Sequence, residues 1–486
     1  MQSTLRRTPD RTQEVKGLQG KESHSNRLPR VVLALAFLSS SVLTGQQNSP
    51  FQGSIPTGNV SSTPLALKLD DAIQRGLRTN LGLLDRQTAN QTARSERIRA
   101  LSALMPQVTG TIAQSVQQLN LETLGLGSFS FAGFSIPTIV GPFSYINSQA
   151  NISASIFDLR ARKNLSSARA NEEASRLFIQ DARDLVVQAV VNGYLLIIAD
   201  TSRVESIQAQ VTTAEALYNR AVLQKKAGTV PAIDVLRADV ELKTQQQRLL
   251  VQQNQFAKDK LTLGRIIGLP GGQTFDIADS IPFTQLRDLT VDRALQIARF
   301  QRPDYRSASK LLEAADESLK AARAEWYPTV DFTGYYGDSG PRLGRSHGVF
   351  LATGTLTFNI FNGGRIRADI EQARAARKQR SDELADLGGR IDYEVRTAFL
   401  DIQSAADQVA VARSNVDLAA QTLQQARDRF VAGVADTIEV VQAQESVATA
   451  SDNLISATYN HNLAKAALGR ALGLTEYGIK NLIEVK

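Results

Sequence analysis

Residues 348–364 read GVFLATGTLTFNIFNGG, and the chain changes its repeat at the end of this stretch. Apolar residues from Phe350 to Ile360 alternate with mostly polar ones, the period-two pattern of a strand with two different faces. Beyond the two glycines the apolar positions take helical spacing and recur every seventh residue from Val395 to Phe430. The stretch therefore predicts a strand followed by a helix of about 65 residues, on the order of 100 Å long. Such a helix indicates an elongated molecule.

The charge of the chain is concentrated in its first part. The formal net charge is +7 with a pI near 9.5, and residues 1–45 carry seven Lys and Arg against three acidic residues. The remaining residues carry the charge of an ordinary protein surface. Because no run of Lys and Arg is interleaved with aromatic residues, the sequence argues against a nucleic-acid partner.

The first 45 residues have the layout of a secretory signal. An apolar run from Val31 to Leu38 follows Arg27 and Arg30, and small residues lead up to Gly45. We predict a signal peptide and leader at 1–45 and a flexible segment at 46–64; the alternative for the apolar run is a short buried helix. No other segment approaches the roughly 20 apolar residues of a membrane helix, and the chain has no cysteine to carry a disulfide or a lipid. An exported chain without a helical anchor is expected.

The chain repeats itself. A shift of 222 residues places Met105 and Pro106 on Tyr327 and Pro328, and a shift of about 205 places Gly228 on Gly433. Each half reads as helix, strand, loop, strand, long helix, tight turn and long helix. We therefore predict a first repeat at 65–270, a linker at 271–287, a second repeat at 288–475 and a C-terminal tail at 476–486.

The heptads and the strands together predict the fold class, which is mixed and mainly α. Sustained seven-residue periodicity predicts left-handed supercoiling, so the long helices are expected to form a coiled-coil-like α-helical barrel. Four strands in an exported chain predict a contribution to a transmembrane β-barrel shared between copies, because an open sheet cannot sit in lipid. The alternative is a soluble sheet packed on the helices. The residues predicted to lie on membrane strands are Ala150, Ile152, Ala154, Ile156, Phe350, Leu356, Phe358 and Ile360.

The sequence contains no recognisable catalytic motif. Its three histidines lie far apart, and HExxH, Walker, nucleophile-elbow and paired-cysteine patterns are missing from it. We predict no enzyme activity, no cofactor and no metal site. His461 is expected to be a satisfied packing histidine, and the pair Trp326 and Tyr327 suits either a membrane–water interface or a core.

Three stretches carry a family resemblance: Leu356–Arg365 at the strand-to-helix junction, Arg429–Gly433 at a helix tip, and Ala471–Leu474 near the end. In this order, within a duplicated chain, they resemble the TolC-like outer-membrane efflux proteins. The resemblance implies a homotrimer with a twelve-stranded barrel in the cell outer membrane and a helical tunnel through the periplasm. It also implies the exit duct of a tripartite efflux or type I secretion system, with outer-membrane lipid, a periplasmic adaptor and an inner-membrane transporter as partners.

The family's periplasmic gate maps onto the hairpin tips by resemblance. Glu439 matches the first acidic ring, whereas the second ring falls on Gln442, which is not charged. Phe430 replaces the network's tyrosine, and Ala435 replaces its arginine. Asp234 and Arg237 occupy the corresponding places in the first half. The candidate adaptor contacts flank the tip glycines, which are also positions where a turn needs a positive φ; they are Gly228, Thr229, Val431, Ala432, Gly433 and Val434.

Two other classes of protein share part of this pattern. A periplasmic adaptor also has a helical hairpin, but it would show one long hairpin and no membrane-type strand pairs. A secreted coiled-coil structural protein would not need the alternating strands.

Overall fold

The computed structural model describes residues 50–125, 130–131, 134–135, 137–279, 283–286 and 289–483. The predicted signal peptide at 1–45 lies outside the described residues, as do 46–49, 280–282 and 287 of the predicted connecting segments and 484–486 of the tail. All described elements belong to one unit, Asn48–Lys486.

The first repeat has the predicted order of elements, preceded by a short strand. Its helices and strands are β1 (Leu65–Leu67), α1 (Leu69–Thr79), α2 (Leu81–Ser102), β2 (Gln107–Asn120), β3 (Ser130–Phe131), β4 (Phe134–Ser135), β5 (Ile139–Phe157), α3 (Leu159–Lys226) and α4 (Ala232–Ile266).

The second repeat has the same order and is followed by a short helix. The linker before it contains β6 (Phe275–Ile277). The second repeat contains α5 (Val291–Gln301), α6 (Pro303–Ala324), β7 (Thr329–Gly340), β8 (His347–Thr357), α7 (Arg365–Val431) and α8 (Thr437–Leu472), and α9 (Thr475–Ile483) follows it. The predicted duplication is thus visible as two strand pairs and two long helical hairpins.

The long helices form where the heptads predict them. Helix α7 has 67 residues, and α3 has 68 and begins after Asp158, whose side chain accepts a hydrogen bond from the backbone N–H of Ala161. Heptad residues such as Val395 and Val409 are buried against α8 together with the alanine seam of that helix. The predicted helix of about 65 residues is confirmed, and its length comes from the sustained seven-residue repeat.

Four strands form one antiparallel sheet in the order β2-β5-β7-β8. The register pairs Val108 with Ile152, and Tyr336 with both Ala150 and Phe350. Strand β8 ends at Thr357, so the prediction that its alternating pattern continues as strand is wrong at its end. The predicted strand residues Phe358 and Ile360 lie instead in the exposed connection to α7, because β7 begins at Thr329, which pairs with Thr357, and offers no strand backbone beyond it.

A second, two-stranded sheet was not predicted. Strands β1 and β6 pair in parallel, with Leu65 opposite Phe275, and join the start of the first repeat to the start of the second. Here α1, α3 and α9 enclose the largest core cluster, with Leu67 and Tyr194 fully buried in it. A smaller cluster unites α5, α7 and α8.

One described helix, α3, contains an 18-residue window apolar enough to cross a membrane, with mean hydropathy 1.5. We expected no segment beyond the leader to be as apolar as a membrane helix, and the composition of α3 shows that this expectation was wrong. Half of the window is buried within the protein, and residues such as Val187 and Val191 of α3 contribute to the largest core cluster.

Candidate functional site

The four-stranded sheet has one apolar and one polar face. Because residues opposite each other in an antiparallel pair point to the same side, the register collects apolar residues of all four strands on one face. Large side chains of this face are 69–78% exposed; they are Val108, Ile112, Val116, Tyr336 and Phe350. On the other face Asn151 Nδ2 donates to Thr111 Oγ1 at 2.6 Å. Apolar surface of this extent, exposed on a sheet, requires a covering layer.

The two outer strands of the sheet each have one free side. Strands β2 and β8 have 14 and 11 residues, and among the described residues neither has a strand partner on its outer side. Strands of 9–11 residues are long enough to cross a membrane when tilted. The sheet thus offers two unpaired edges beside an exposed apolar face.

The sheet meets the long helices at a buried carboxylate, Glu325. Its Oε1 lies 2.9 Å from Arg160 Nη1 and its Oε2 lies 2.9 Å from Arg365 Nη2, so it joins the first turns of α3 and α7. Its backbone carbonyl accepts a hydrogen bond from Asn359 Nδ2 at 3.0 Å. Sequence reasoning missed Glu325, because its partners lie 165 residues before it and 40 after it in the chain.

A second buried ion cluster fixes the short helices of the second repeat. The guanidinium of Arg302 is 2% exposed, pairs with Asp304 at 2.7 Å and also contacts Glu394 of α7. Burial works against the charge of both partners, yet the ion pair prevails, and it raises the pKa of Arg302 and lowers the pKa of Asp304. Gly473, which ends α8 with φ +70°, packs directly on Arg302, so that a Cβ there would lie 2.8 Å from Arg302 Cα.

Both hairpin tips end in the same capped turn. Gly228 and Gly433 have φ of 74° and 72°, and their N–H groups donate to Lys225 O and Phe430 O. The next residues, Thr229 and Val434, donate to carbonyls five positions earlier. This is the Schellman arrangement, in which glycine takes the left-handed position. The predicted adaptor-contact residues lie on these tips and are exposed.

Three of the predicted gate residues, Glu439, Asp234 and Arg237, take part in ion pairs at the tips. Glu439 Oε1 lies 3.1 Å from Arg429 Nε across the α7–α8 turn, and the two side chains are about half exposed. In the first repeat Asp234 and Arg237 pair at 3.3 Å within the first turns of α4. Gln442 is exposed one turn beyond Glu439. Glu439 lies at the tip, as predicted from the sequence. The sequence analysis did not predict that Arg429 pairs with it and neutralises part of its charge.

Phe430 has a packing position. It is 7% exposed and lies in a cluster with Leu217 of α3 and Ala238 of α4, so it joins the two hairpins near their tips. The guanidinium of Arg220 lies 5.8 Å from its ring centre. The predicted gate residue Phe430 is thus buried between the two hairpins of one chain.

Two buried titratable groups differ from what the sequence predicts: Asp184 was not predicted, and His461 has an unexpected environment. Asp184 of α3 is 5% exposed and accepts the backbone N–H of Glu476, which starts α9; burial raises its pKa to about 6. His461 was expected to be satisfied, but neither of its ring nitrogens has a hydrogen-bond partner among the described residues. Its ring packs 4.6 Å from Phe283, and burial, aided by Lys465, lowers its pKa to about 4.

Known proteins similar in sequence to this chain are outer membrane proteins of efflux and export systems. Residues 294–474 match the family described as outer membrane efflux protein. The toluene efflux pump outer membrane protein TtgC of Pseudomonas putida is 23% identical over 301 residues, covering 59% of this chain and 60% of TtgC. The match therefore spans less than two thirds of that relative. The pyoverdine export outer membrane protein OpmQ of Pseudomonas aeruginosa is 24% identical over 421 residues, covering 84% of this chain and 85% of OpmQ.

Solved structures extend the similarity to both repeats. The outer membrane protein VceC of Vibrio cholerae superposes with a TM-score of 0.73 at 17% identity, covering 83% of this chain and 96% of VceC. The outer membrane channel CmeC of Campylobacter jejuni gives a TM-score of 0.72 at 15% identity, covering 90% of this chain and 95% of CmeC. Residues 294–474 thus match the outer membrane efflux protein family, and both repeats share the fold of the solved structures of VceC and CmeC.

Proposed function

We propose that this chain is the outer-membrane exit duct of a tripartite efflux or type I secretion system, a passive conduit with no chemistry of its own. The observation that carries the proposal is the four-stranded sheet with an exposed apolar face and two unpaired edges, placed at the start of two long helical hairpins. Apolar strands face lipid, and the hairpins extend into the periplasm.

The edges of the sheet support a homotrimer. In lipid an unpaired strand edge is too costly to persist, so the sheet must close. One chain supplies four strands, whereas membrane barrels start at about eight. Three copies would give twelve strands, each copy pairing its β2 with β8 of the next.

The tips support docking of a periplasmic adaptor, which would couple the duct to an inner-membrane transporter. Exposed apolar residues surround both turns, with Leu223, Val431 and Val434 each more than half exposed. Relatives are named for export of pyoverdine, toluene and cations, and we assign the choice of substrate to the transporter.

Cysteine cross-linking of the outer strands tests the shared barrel. The natural chain has no cysteine, so Thr111→Cys on β2 and Thr355→Cys on β8 would introduce the only two thiols, both on the polar face. Within one chain these strands are separated by β5 and β7, about 14 Å at the usual strand spacing, which is longer than the linker of a short bis-maleimide. A short bis-maleimide is therefore expected to link different copies.

The double variant is cross-linked both in membranes and after extraction into detergent. In both cases we expect a ladder of dimer and trimer on a denaturing gel. The single variants, and Thr111→Cys combined with Arg413→Cys on α7, serve as matched controls and should give no ring-closed trimer. A chain that remains monomeric with both strand cysteines present, or forms only links within one chain, would contradict the shared barrel. A periplasmic adaptor or a coiled-coil structural protein would give that result.

A further inference from the structure

Each repeat carries the same exposed feature where the sheet joins a long helix. An Ile-Phe pair is followed, at the start of the helix, by two arginines one residue apart. In the first repeat these are Ile156, Phe157, Arg160 and Arg162, and in the second they are Ile360, Phe361, Arg365 and Arg367. Ile360 and Phe361 are 83% and 88% exposed. Apolar side chains this exposed, repeated at the same place, mark a contact surface.

The two copies of the feature are held side by side. Buried Glu325 contacts Arg160 and Arg365 at 2.9 Å each, and its carbonyl holds Asn359, next to Ile360. Each arginine is still about half exposed. Arg365 also pairs with Asp369 at 2.8 Å. Because a guanidinium has five N–H donors, Arg160 and Arg365 still keep donors for another acceptor.

The four arginines outnumber the two carboxylates in contact with them, Glu325 and Asp369, so this surface has an excess of positive charge. Arg162 lies 5.6 Å over the Phe157 ring, and neither Arg162 nor Arg367 has an acidic partner in the described part of the chain. Guanidinium groups match phosphate oxygens in a two-pronged arrangement. Aromatic rings beside them suit the boundary between acyl chains and headgroups.

We propose that this junction, formed by the two Ile-Phe pairs and the four arginines, binds anionic phospholipid headgroups of the leaflet facing the periplasm. The Ile and Phe side chains enter the acyl region, and the guanidiniums bind the phosphates. The proposal rests on the membrane location of the sheet. Charge complementarity favours lipid as the occupant, because the phosphate of an anionic headgroup is opposite in charge to the arginines that have no acidic partner.

Trp326, the only tryptophan of the chain, reports on this site. It follows Glu325 and is 45% exposed. The assay measures quenching of its fluorescence by brominated phosphatidylglycerol and by brominated phosphatidylcholine in vesicles holding the detergent-purified protein. The relative binding constant of the two lipids should favour phosphatidylglycerol about fivefold or more, as expected for two or more arginines near an anionic headgroup.

The double variant Arg162→Gln/Arg367→Gln should bring this ratio close to one, and the matched pair Arg299→Gln/Arg413→Gln should leave it unchanged. Equal quenching by both lipids in the natural protein, or an unchanged ratio in the double variant, would overturn the proposal. Absence of quenching by either lipid would mean that another copy covers the site, which would also overturn it. Ion conductance of the same vesicles separates failure of the lipid site from failure of the channel assignment.

Discussion

At the residue scale, two buried groups shift stability with pH in opposite directions. The pKa of Asp184 is raised to about 6 from 3.8, so its protonated form is favoured by folding. The pKa of His461 is lowered to about 4 from 6.5, so its neutral form is favoured by folding. As pH falls from 6.5 to 4, folding gains stability from Asp184 and loses stability from His461. In the natural chain the contributions of Asp184 and His461 to the pH dependence of stability therefore oppose each other, and single variants should separate them.

Asp184→Asn should stabilise the protein at neutral pH. The folded pKa lies above the unfolded one, so the contribution of Asp184 is fully present below pH 3.8 and is lost as pH rises through about 6. An uncharged amide removes that loss, worth on the order of 2 kcal/mol. Thermal unfolding at pH 7.5 and pH 4.5 measures it, with exposed Asp382→Asn as the control. An equal shift of Tm at both pH values would contradict the assignment.

His461→Leu should stabilise the protein most under mildly acidic conditions. A buried imidazole with no hydrogen bond costs about 1–3 kcal/mol, and its folded pKa near 4 means that stability is lost as pH falls from 6.5 towards 4. Leucine keeps the packing on Phe283 without the polar atoms. The gain in unfolding free energy should be larger at pH 5 than at pH 8. A loss of stability at both values would show that the imidazole has a partner.

The element scale shows where sequence reasoning succeeds. The long helices, the four membrane-type strands and both tips follow from periodicity and from glycine positions, which are local signals. Strands β1 and β6 have only three residues each and pair across the whole first repeat, so no local pattern could reveal them. The end of β8 was misplaced because Phe358 and Ile360 continue the alternation beyond the strand that β7 can pair. Partners such as Arg429 for Glu439, and Glu325 for two arginines, depend on the fold.

The glycines that end α7 and α8 have nearly the same φ but different surroundings. A Cβ at Gly433 meets nothing within 4 Å, whereas a Cβ at Gly473 would lie 2.8 Å from Arg302 Cα. Gly433→Ala should therefore cost about 1 kcal/mol for the left-handed conformation alone. Gly473→Ala should cost several kcal/mol more, because it also displaces the buried Arg302 cluster. Urea unfolding of the two variants measures the difference, and equal costs would mean that the packing of Gly473 on Arg302 is loose.

The ion pair at the second tip should set ion selectivity of the proposed gate. Three copies would place three Glu439 carboxylates around one axis, which attracts cations, while Arg429 neutralises part of that charge. Glu439→Ala should lower the cation-to-anion permeability ratio in bilayer recordings, and Arg429→Gln should raise it severalfold. Lys378→Gln, a charge loss on the same helix far from the tip, is the control. Unchanged reversal potentials in both tip variants would remove Glu439 from the constriction.

At the scale of the whole molecule, the proposed membrane location and the proposed trimer account for two exposed features of the sheet. The exposed apolar face of the sheet is stable only when lipid covers it, and its open edges are stable only when other copies close them. The alanine seams of the long hairpins bury well within one chain, while apolar residues such as Leu250 of α4 and Leu400 of α7 stay more than 60% exposed. Those side chains would be covered by neighbouring copies in the same assembly that closes the sheet. In the proposed assembly, the membrane and the neighbouring copies thus complete the fold of one chain.

The location and the detergent-solubilised mass of the chain test this account most directly. The protein would be expressed in a Gram-negative host, the membranes separated by density, and the extracted particle weighed by light scattering with the detergent subtracted. We expect an outer-membrane particle containing three chains. A monomer released with the soluble periplasmic fraction would contradict it, because the sheet would then have neither lipid on its apolar face nor partners at its edges.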